Sequence, residues 1–436
     1  MTSTEQSELA SQWFLRLFGV AVVAHLAGNP TYFASDVPTA MALLVGGAGV
    51  GLLLAPSWRL ATATGGLVLA TVWFEAPRLG NHWLVVGFVA ASFIVAFLAS
   101  LRFGSRVMAT RWWELVAPVG RLIFLVFYSF SAFAKLNRGF LHQDESCGVF
   151  YVNQLLGSWQ LPLIEAPALR MLTVVAVILI ELSVPVLLLL PSTRRHGVVL
   201  ALAFHFVISL DLDQHFYDFT AVVFMLVFLF LPDHDLADLE RRARRSPPIP
   251  WIMAAGASAL VVASVSPLRP LTDWILGPGA FLWWVPTALL IGRQALVHWG
   301  QPVARLDLRP PGLGWLILIP LVVNGLSPYL ELKTATGFNM YSNLRTVDGT
   351  TNHYIVPGTL PLRDDQHDPV LILVTNDAGL QNYVVEELAL TRARLADYLS
   401  YADPGATVTF IGVDSEVEET ITAADYRQRL GVFSHK

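Results

Sequence analysis

Long apolar runs, broken by short polar segments, fill the first 330 residues of this chain. Eleven of them are long enough to cross about 30 Å of hydrocarbon as helices: residues 14–27, 37–56, 58–74, 83–101, 116–135, 168–191, 197–212, 217–232, 251–265, 274–291 and 314–330. The first is the shortest and carries Arg16, which is read as snorkelling to the interface from a helix end. Past Glu331 the pattern changes. Residues 338–346 and 353–357 flank a Val347-Asp348-Gly349 turn and predict a hairpin, residues 370–375 and 407–413 predict two further strands, and 384–401 has helical spacing. The expected architecture is an all-α polytopic transmembrane bundle of about eleven helices over residues 1–330. A small α+β extracytoplasmic domain over 331–436 follows, read as a stabilising cap without chemistry of its own.

Composition agrees with that division. With a mean hydropathy of +0.55 and only 14% charged residues, the chain has too few polar groups to cover a water-soluble globule of 436 residues. Its net charge of -5 offers no basic face to a nucleic acid. Cys147 is the only cysteine, which excludes an intrachain disulfide and a cysteine-based metal site. The first residues carry Glu5 and Glu8 and no basic n-region, so a cleaved signal peptide is not expected.

Arginine asymmetry sets the orientation. Arg59, the groups around Arg102 to Arg111, Arg194 with Arg195, Arg241 to Arg245, and Arg293 to Arg309 fall on alternate connections, which places the N-terminus in the cytoplasm. The C-terminal domain, with 15 acids and 8 bases, then lies outside an inner (plasma) membrane. On that outer side the sequence gathers Asn81 and His82, then Lys135, Asn137, Arg138 and His142, then Asp211, Asp213, His215 and Asp218. Deeper in the bilayer sit Glu181 and His205, two intramembrane ionisable groups expected to face each other.

Lysine occurs only at positions 135, 333 and 436, so Lys135 is the sole lysine of the membrane region. Arginine keeps its proton at any relevant pH, whereas a lysine in a low-dielectric site can lose its proton and act as a base; a snorkelling interfacial lysine is the other reading. Other features have bland explanations. Gly47 and Gly51 form a small-xxx-small pair for helix packing, and Trp112, Trp113, Trp283, Trp284 and Trp299 suit aromatic belts. The run from Glu240 to Arg245 can touch anionic lipid. His142, His215 and the nearby aspartates match no ligand spacing, so no metal is expected and those acids are read as a solvated loop.

The stretch Phe127-Tyr128-Ser-Phe-Ser-Ala-Phe-Ala-Lys135-Leu136, then Ile180-Glu181-Leu-Ser-Val-Pro185, Phe204-His205-Phe206 and Gly80-Asn81-His82, resembles the horizontally transferred transmembrane domain of the vitamin K-dependent gamma-carboxylase superfamily. The similarity covers about residues 80–232, and a weaker echo follows Asn324-Gly-Leu326 at Phe338, Met340, Arg345 and His353. In that family an uncharged lysine amine deprotonates vitamin K hydroquinone, the quinol anion takes up oxygen, and the resulting strong base removes a glutamate proton before carbon dioxide adds. The resemblance implies Lys135 as general base with Asn81 and His82 assisting; Glu181, His205, Tyr128, Arg138 and His142 are the further candidates for the pocket around them. It implies a reduced quinone of the vitamin K or menaquinol type, with oxygen and carbon dioxide and no metal. The implied partners are the bilayer, an isoprenoid quinol and a protein or peptide substrate outside the cytoplasm. The tail is much shorter than the lumenal part of animal carboxylases, and a retained lysine could instead serve a quinol oxidation or epoxidation that uses no glutamate. A non-enzymatic scaffold, with Glu181 and His205 locking the bundle and the tail recruiting a partner, is the reading from another class.

Overall fold

A computed structural model of the full chain describes residues 2–29, 36–75, 79–101, 105–211, 216–245, 292, 303, 306–310, 312–333, 336–363, 368–377, 379–385, 389–413, 415 and 417–429. They form two compact units, Met1–Gly325 with Phe338–Leu344, and Leu326–Gly337 with Arg345–Lys436. The expected spans at 251–265 and 274–291, with Trp283, Trp284, Trp299, Asp213 and His215, lie outside the described residues.

The first unit is helical: α1 (Ser3–Gly28), α2 (Asp36–Leu54), α3 (Trp58–Glu75), α4 (Asn81–Ser100), α5 (Ser105–Ala134), α6 (Arg138–Leu141), α7 (Cys147–Ser158), α8 (Pro167–Leu189), α9 (Arg194–Ile208), α10 (Tyr217–Val227) and α11 (Asp233–Arg245), then a helix over Trp315–Leu326. Among the described residues four helices are long and apolar enough to cross a membrane: Ser3–Gly28, Asn81–Ser100, Met108–Ala134 and Pro167–Leu189. Helix α8 is the most lipid-like of these, with Leu172 and Leu179 about 60% exposed on a face that water would not favour.

Helix α1 begins with a capping box, in which the Thr2 hydroxyl accepts from Glu5 N and the Glu5 carboxylate accepts from Thr2 N. From Trp13 to Ala27 every residue is buried, among α2, α10 and α11. The helix starts eleven residues before the span expected from hydropathy, with a polar, capped and largely exposed first turn that hydropathy does not register. Arg16 does not snorkel. Its Nε lies 2.8 Å from Glu240 Oε2 on α11, and its Nη1 donates to the Leu53 carbonyl. Helix α11, which hydropathy passed over, buries Asp235, Leu236, Leu239, Glu240 and Ala243 at three- and four-residue spacing. Arg195, read as a loop charge, is buried 2.7 Å from Asp235, so part of the arginine excess closes ion pairs rather than only setting orientation. Trp112 and Trp113 are core residues too, Trp112 Nε1 donating to the Phe93 carbonyl at 3.2 Å; they form no interfacial belt. The tight helix crossing lies at Gly19 and Gly49 rather than at Gly47 and Gly51. A Cβ on Gly19 would lie 2.5 Å from the Gly49 carbonyl oxygen, whereas one on Gly47 would meet nothing.

In the second unit the expected turn is present, with Asp348 and Gly349 at φ 52° and 72°, but its strands β1 (Thr346–Val347) and β2 (Thr350–Thr351) are two residues each and the arms expected at 338–345 and 353–357 are not strands. The buried Glu331 carboxylate accepts from Asp348 N and Gly349 N at 3.1 and 2.8 Å and from the Thr359 hydroxyl, which fixes the turn. A four-stranded antiparallel sheet follows in the order β4 (Ala389–Thr391), β3 (Pro369–Thr375), β5 (Thr407–Gly412), β6 (Glu418–Thr422). The single helix expected over 384–401 is instead the end of a short helix Gln381–Val385, the strand β4 and a helix Arg392–Tyr401. Thr391 ends β4 and caps the helix, its hydroxyl accepting from Arg394 N at 3.2 Å.

Candidate functional site

Helical spacing places Tyr128, Ser131 and Lys135 on one face at the end of α5. With Glu181 on α8 and His205 on α9 they line a cavity with about 920 Å³ of empty space, mouth included. Its remaining wall is mostly apolar: Phe127, Val152, Leu155, Val177, Phe204, Ile208, Phe216 and Phe219. Val207 also lines it while 49% exposed, and Leu179 and Leu182 on α8 are 59% and 37% exposed, so the cavity borders an apolar outer surface.

Lys135 is 5% exposed, and its Nζ stands 2.8 Å from Glu181 Oε2. The ammonium donates further to Ser131 Oγ at 3.3 Å and to the carbonyls of Ser131 and Met340 at 3.4 Å. Glu181 therefore takes Lys135 as partner, not His205 as the sequence suggested. His205, 2% exposed, places Nε2 3.3 Å from the Tyr128 hydroxyl, while its Nδ1 has no hydrogen-bond partner among the described residues. Two polar features thus face the same apolar space: an ion pair and an imidazole beside a phenol.

The segment Phe338–Leu344 crosses this region of the first unit with Phe338, Tyr341 and Asn343 at φ 61°, 51° and 53°, a conformation that side chains other than glycine rarely adopt. Asparagines hold it there. Asn81 Oδ1 accepts from Phe338 N at 3.0 Å, Asn137 Nδ2 donates to the Ser342 carbonyl at 2.5 Å, and Asn343 Oδ1 accepts from Cys147 N at 2.9 Å. Tyr341, Tyr151 and Phe216 pack edge to face with centroids 4.4 to 5.5 Å apart. Burial raises both phenols, Tyr341 to about 12, and pushes up the Cys147 thiol, so all three stay neutral at physiological pH.

Of the residues expected at the site, Lys135, Glu181, His205 and Tyr128 line the cavity, and Asn81 positions the strained segment beside it. His82 lies behind Phe219, whose ring centroid is 6.2 Å from His82 and 5.0 Å from His205; its Nε2 pairs with Asp218 Oδ2 at 2.9 Å. Arg138 is exposed and His142, also exposed, lies 3.7 Å from Glu145; neither lines the cavity. The aspartates are not one solvated loop, since Asp211 is buried on the cavity wall and Asp218 is mostly buried against His82. Sequence reading missed Tyr151 and Tyr341, which only tertiary packing brings in. Ser131 was available from its four-residue spacing to Lys135. No protein-family model, curated protein or solved structure matches this chain.

Proposed function

We propose that this chain is a membrane enzyme that binds a reduced isoprenoid quinone in the α5–α8–α9 cavity, with Lys135 as the general base. The observation that carries the reading is the Lys135–Glu181 pair, 2.8 Å apart at the polar end of an apolar cavity beside an exposed apolar surface. A quinol has an aromatic ring, two hydroxyls and an apolar tail. Phe and Val walls suit the ring and tail, and Lys135, Tyr128 and His205 offer hydrogen bonds to the hydroxyls.

An ammonium–carboxylate pair and its amine–carboxylic acid tautomer have the same net charge, so moving the proton between them adds no buried charge. In the second form the Lys135 amine takes the phenolic proton, and the ammonium so formed stays against the quinolate. Oxygen then reacts with that anion. Overall, a quinol and one dioxygen give a quinone epoxide and one water, which balances without a second substrate. Carbon dioxide and a protein or peptide glutamate enter only if the strong base formed on the way is captured, as the resemblance to the gamma-carboxylase superfamily implies.

The same ion pair favours a second reading, because it ties α5 to α8 as a lock in a non-catalytic bundle would. The two separate in one experiment. Lipids extracted from the purified protein should include a quinone by mass spectrometry, and added vitamin K hydroquinone or menaquinol should give oxygen uptake that Lys135→Arg removes. A folded wild-type protein that neither retains a quinone nor consumes a quinol is a scaffold.

A further inference from the structure

Behind Phe219, away from the cavity lining, α1, α3, α4 and α10 bring His25, Glu75, His82 and Asp218 together. One donor atom each from His25, His82 and Asp218 lies within 4.8 Å of the other two. The distances are informative one by one. Asp218 Oδ2 stands 2.9 Å from His82 Nε2 and 3.7 Å from His25 Nδ1. A hydrogen bond to a nitrogen spans 2.7 to 3.2 Å, so the second separation is too long for one. Two ligands of one tetrahedral ion with bonds near 2.0 to 2.1 Å lie about 3.3 Å apart, so His82 and Asp218 stand slightly closer than bound ligands and the other separations, up to 4.8 Å, would close on the ion as it binds.

The His25 ring is also held as a ligand ring would be. Its Nε2 lies 2.7 Å from Glu75 Oε1, and an ionised carboxylate can only accept, so Nε2 carries a proton and Nδ1 is the nitrogen that faces Asp218. Stacking on Trp83, 3.8 Å between centroids at 11°, fixes the ring plane, and Trp83 Nε1 is anchored on the Thr71 hydroxyl at 3.1 Å. A carboxylate on the far nitrogen is the usual outer-shell partner of a metal-bound histidine, setting its tautomer and orientation.

We propose that His25, His82 and Asp218 bind a divalent first-row transition cation through two imidazole nitrogens and a carboxylate, with Glu75 orienting His25. Two neutral nitrogens with one or two carboxylates suit zinc or iron(II), and the buried carboxylates balance the ion's charge. The site is independent of what the cavity binds, so failure of the quinol reading leaves it standing.

The test uses the full chain in detergent, stripped with a chelator, exposed to Zn2+ and desalted, with metal counted by plasma mass spectrometry. Wild type should keep about one equivalent, as should Lys135→Arg. His82→Ala and Asp218→Asn should keep none, and Glu75→Gln should bind roughly 10- to 100-fold more weakly. A wild type that keeps no zinc, or a His82→Ala protein that keeps as much, overturns the proposal. Should the variants fail to fold, Co2+ added to wild type decides: the intense visible bands of a low-symmetry four- or five-coordinate ion support it, and the faint spectrum of the aquo ion overturns it.

Discussion

At Lys135 the amine and its charge can be separated by substitution. Lys135→Arg keeps a cation for Glu181 but not a group that gives up its proton, so quinol-dependent oxygen uptake should fall at least about 100-fold while thermal unfolding stays close to wild type. Lys135→Met leaves a carboxylate buried without a counter-charge and should cost about 3–5 kcal/mol in a detergent unfolding assay; adding Glu181→Leu should recover most of it. The tyrosines make a pH prediction. Partial burial beside Tyr151 and Phe216 raises Tyr341 to about 12 in the fold, against about 10 unfolded. Between those values the unfolded chain loses its proton first, so stability falls as pH rises from 10 to 12. Tyr341→Phe should flatten part of that fall in melting curves recorded at pH 9 and 11. Much at this scale was legible beforehand, because Lys135 is conspicuous in a chain whose other membrane-region cations are arginines. Its partner was not. Helical periodicity within α5, α8 and α9 leaves open which faces meet, so Glu181 was assigned to His205 and His25 was overlooked inside an apolar run.

Helices announce themselves through hydropathy, but their ends and their polar contacts do not. The runs at 83–101 and 168–191 fall within two residues of Asn81–Ser100 and Pro167–Leu189, since continuous apolarity leaves little choice. Helix α11 escaped notice because half its surface is charged, although its inner face closes the bundle. The pair of Arg16 and Glu240 makes that closure testable. Arg16→Leu strands Glu240 and should lower stability by about 3–5 kcal/mol, read as a lower melting midpoint, whereas Arg241→Ala on the exposed side should change little. The α1–α2 crossing has no room at Gly19, so Gly19→Leu should force the helices apart and reduce folded yield, while Gly47→Leu should be tolerated. In the second unit, β4 hid in a helical pattern because Leu388, Leu395 and Leu399 fit a 3.6-residue period over a segment that a capping threonine divides.

For the molecule as a whole, the coarse plan was readable from hydropathy: a mostly helical first part with helices able to cross a membrane, and a small sheet-containing region after it. The return of Phe338–Leu344 to the helical unit was not, because a short polar and aromatic segment carries no periodicity to show where it belongs. The enclosed position of α1 has a consequence for how the protein is made. The ribosome delivers this helix before α11, and the carboxylate that neutralises Arg16 comes 224 residues after it, about 10–45 s at 5–20 residues per second. During that interval Arg16 has the Leu53 carbonyl but not its carboxylate partner, so shelter by a chaperone or the insertion machinery is the expected outcome. Ribosome-stalled chains ending before Glu240 should crosslink to that machinery through position 16, and longer ones should release it.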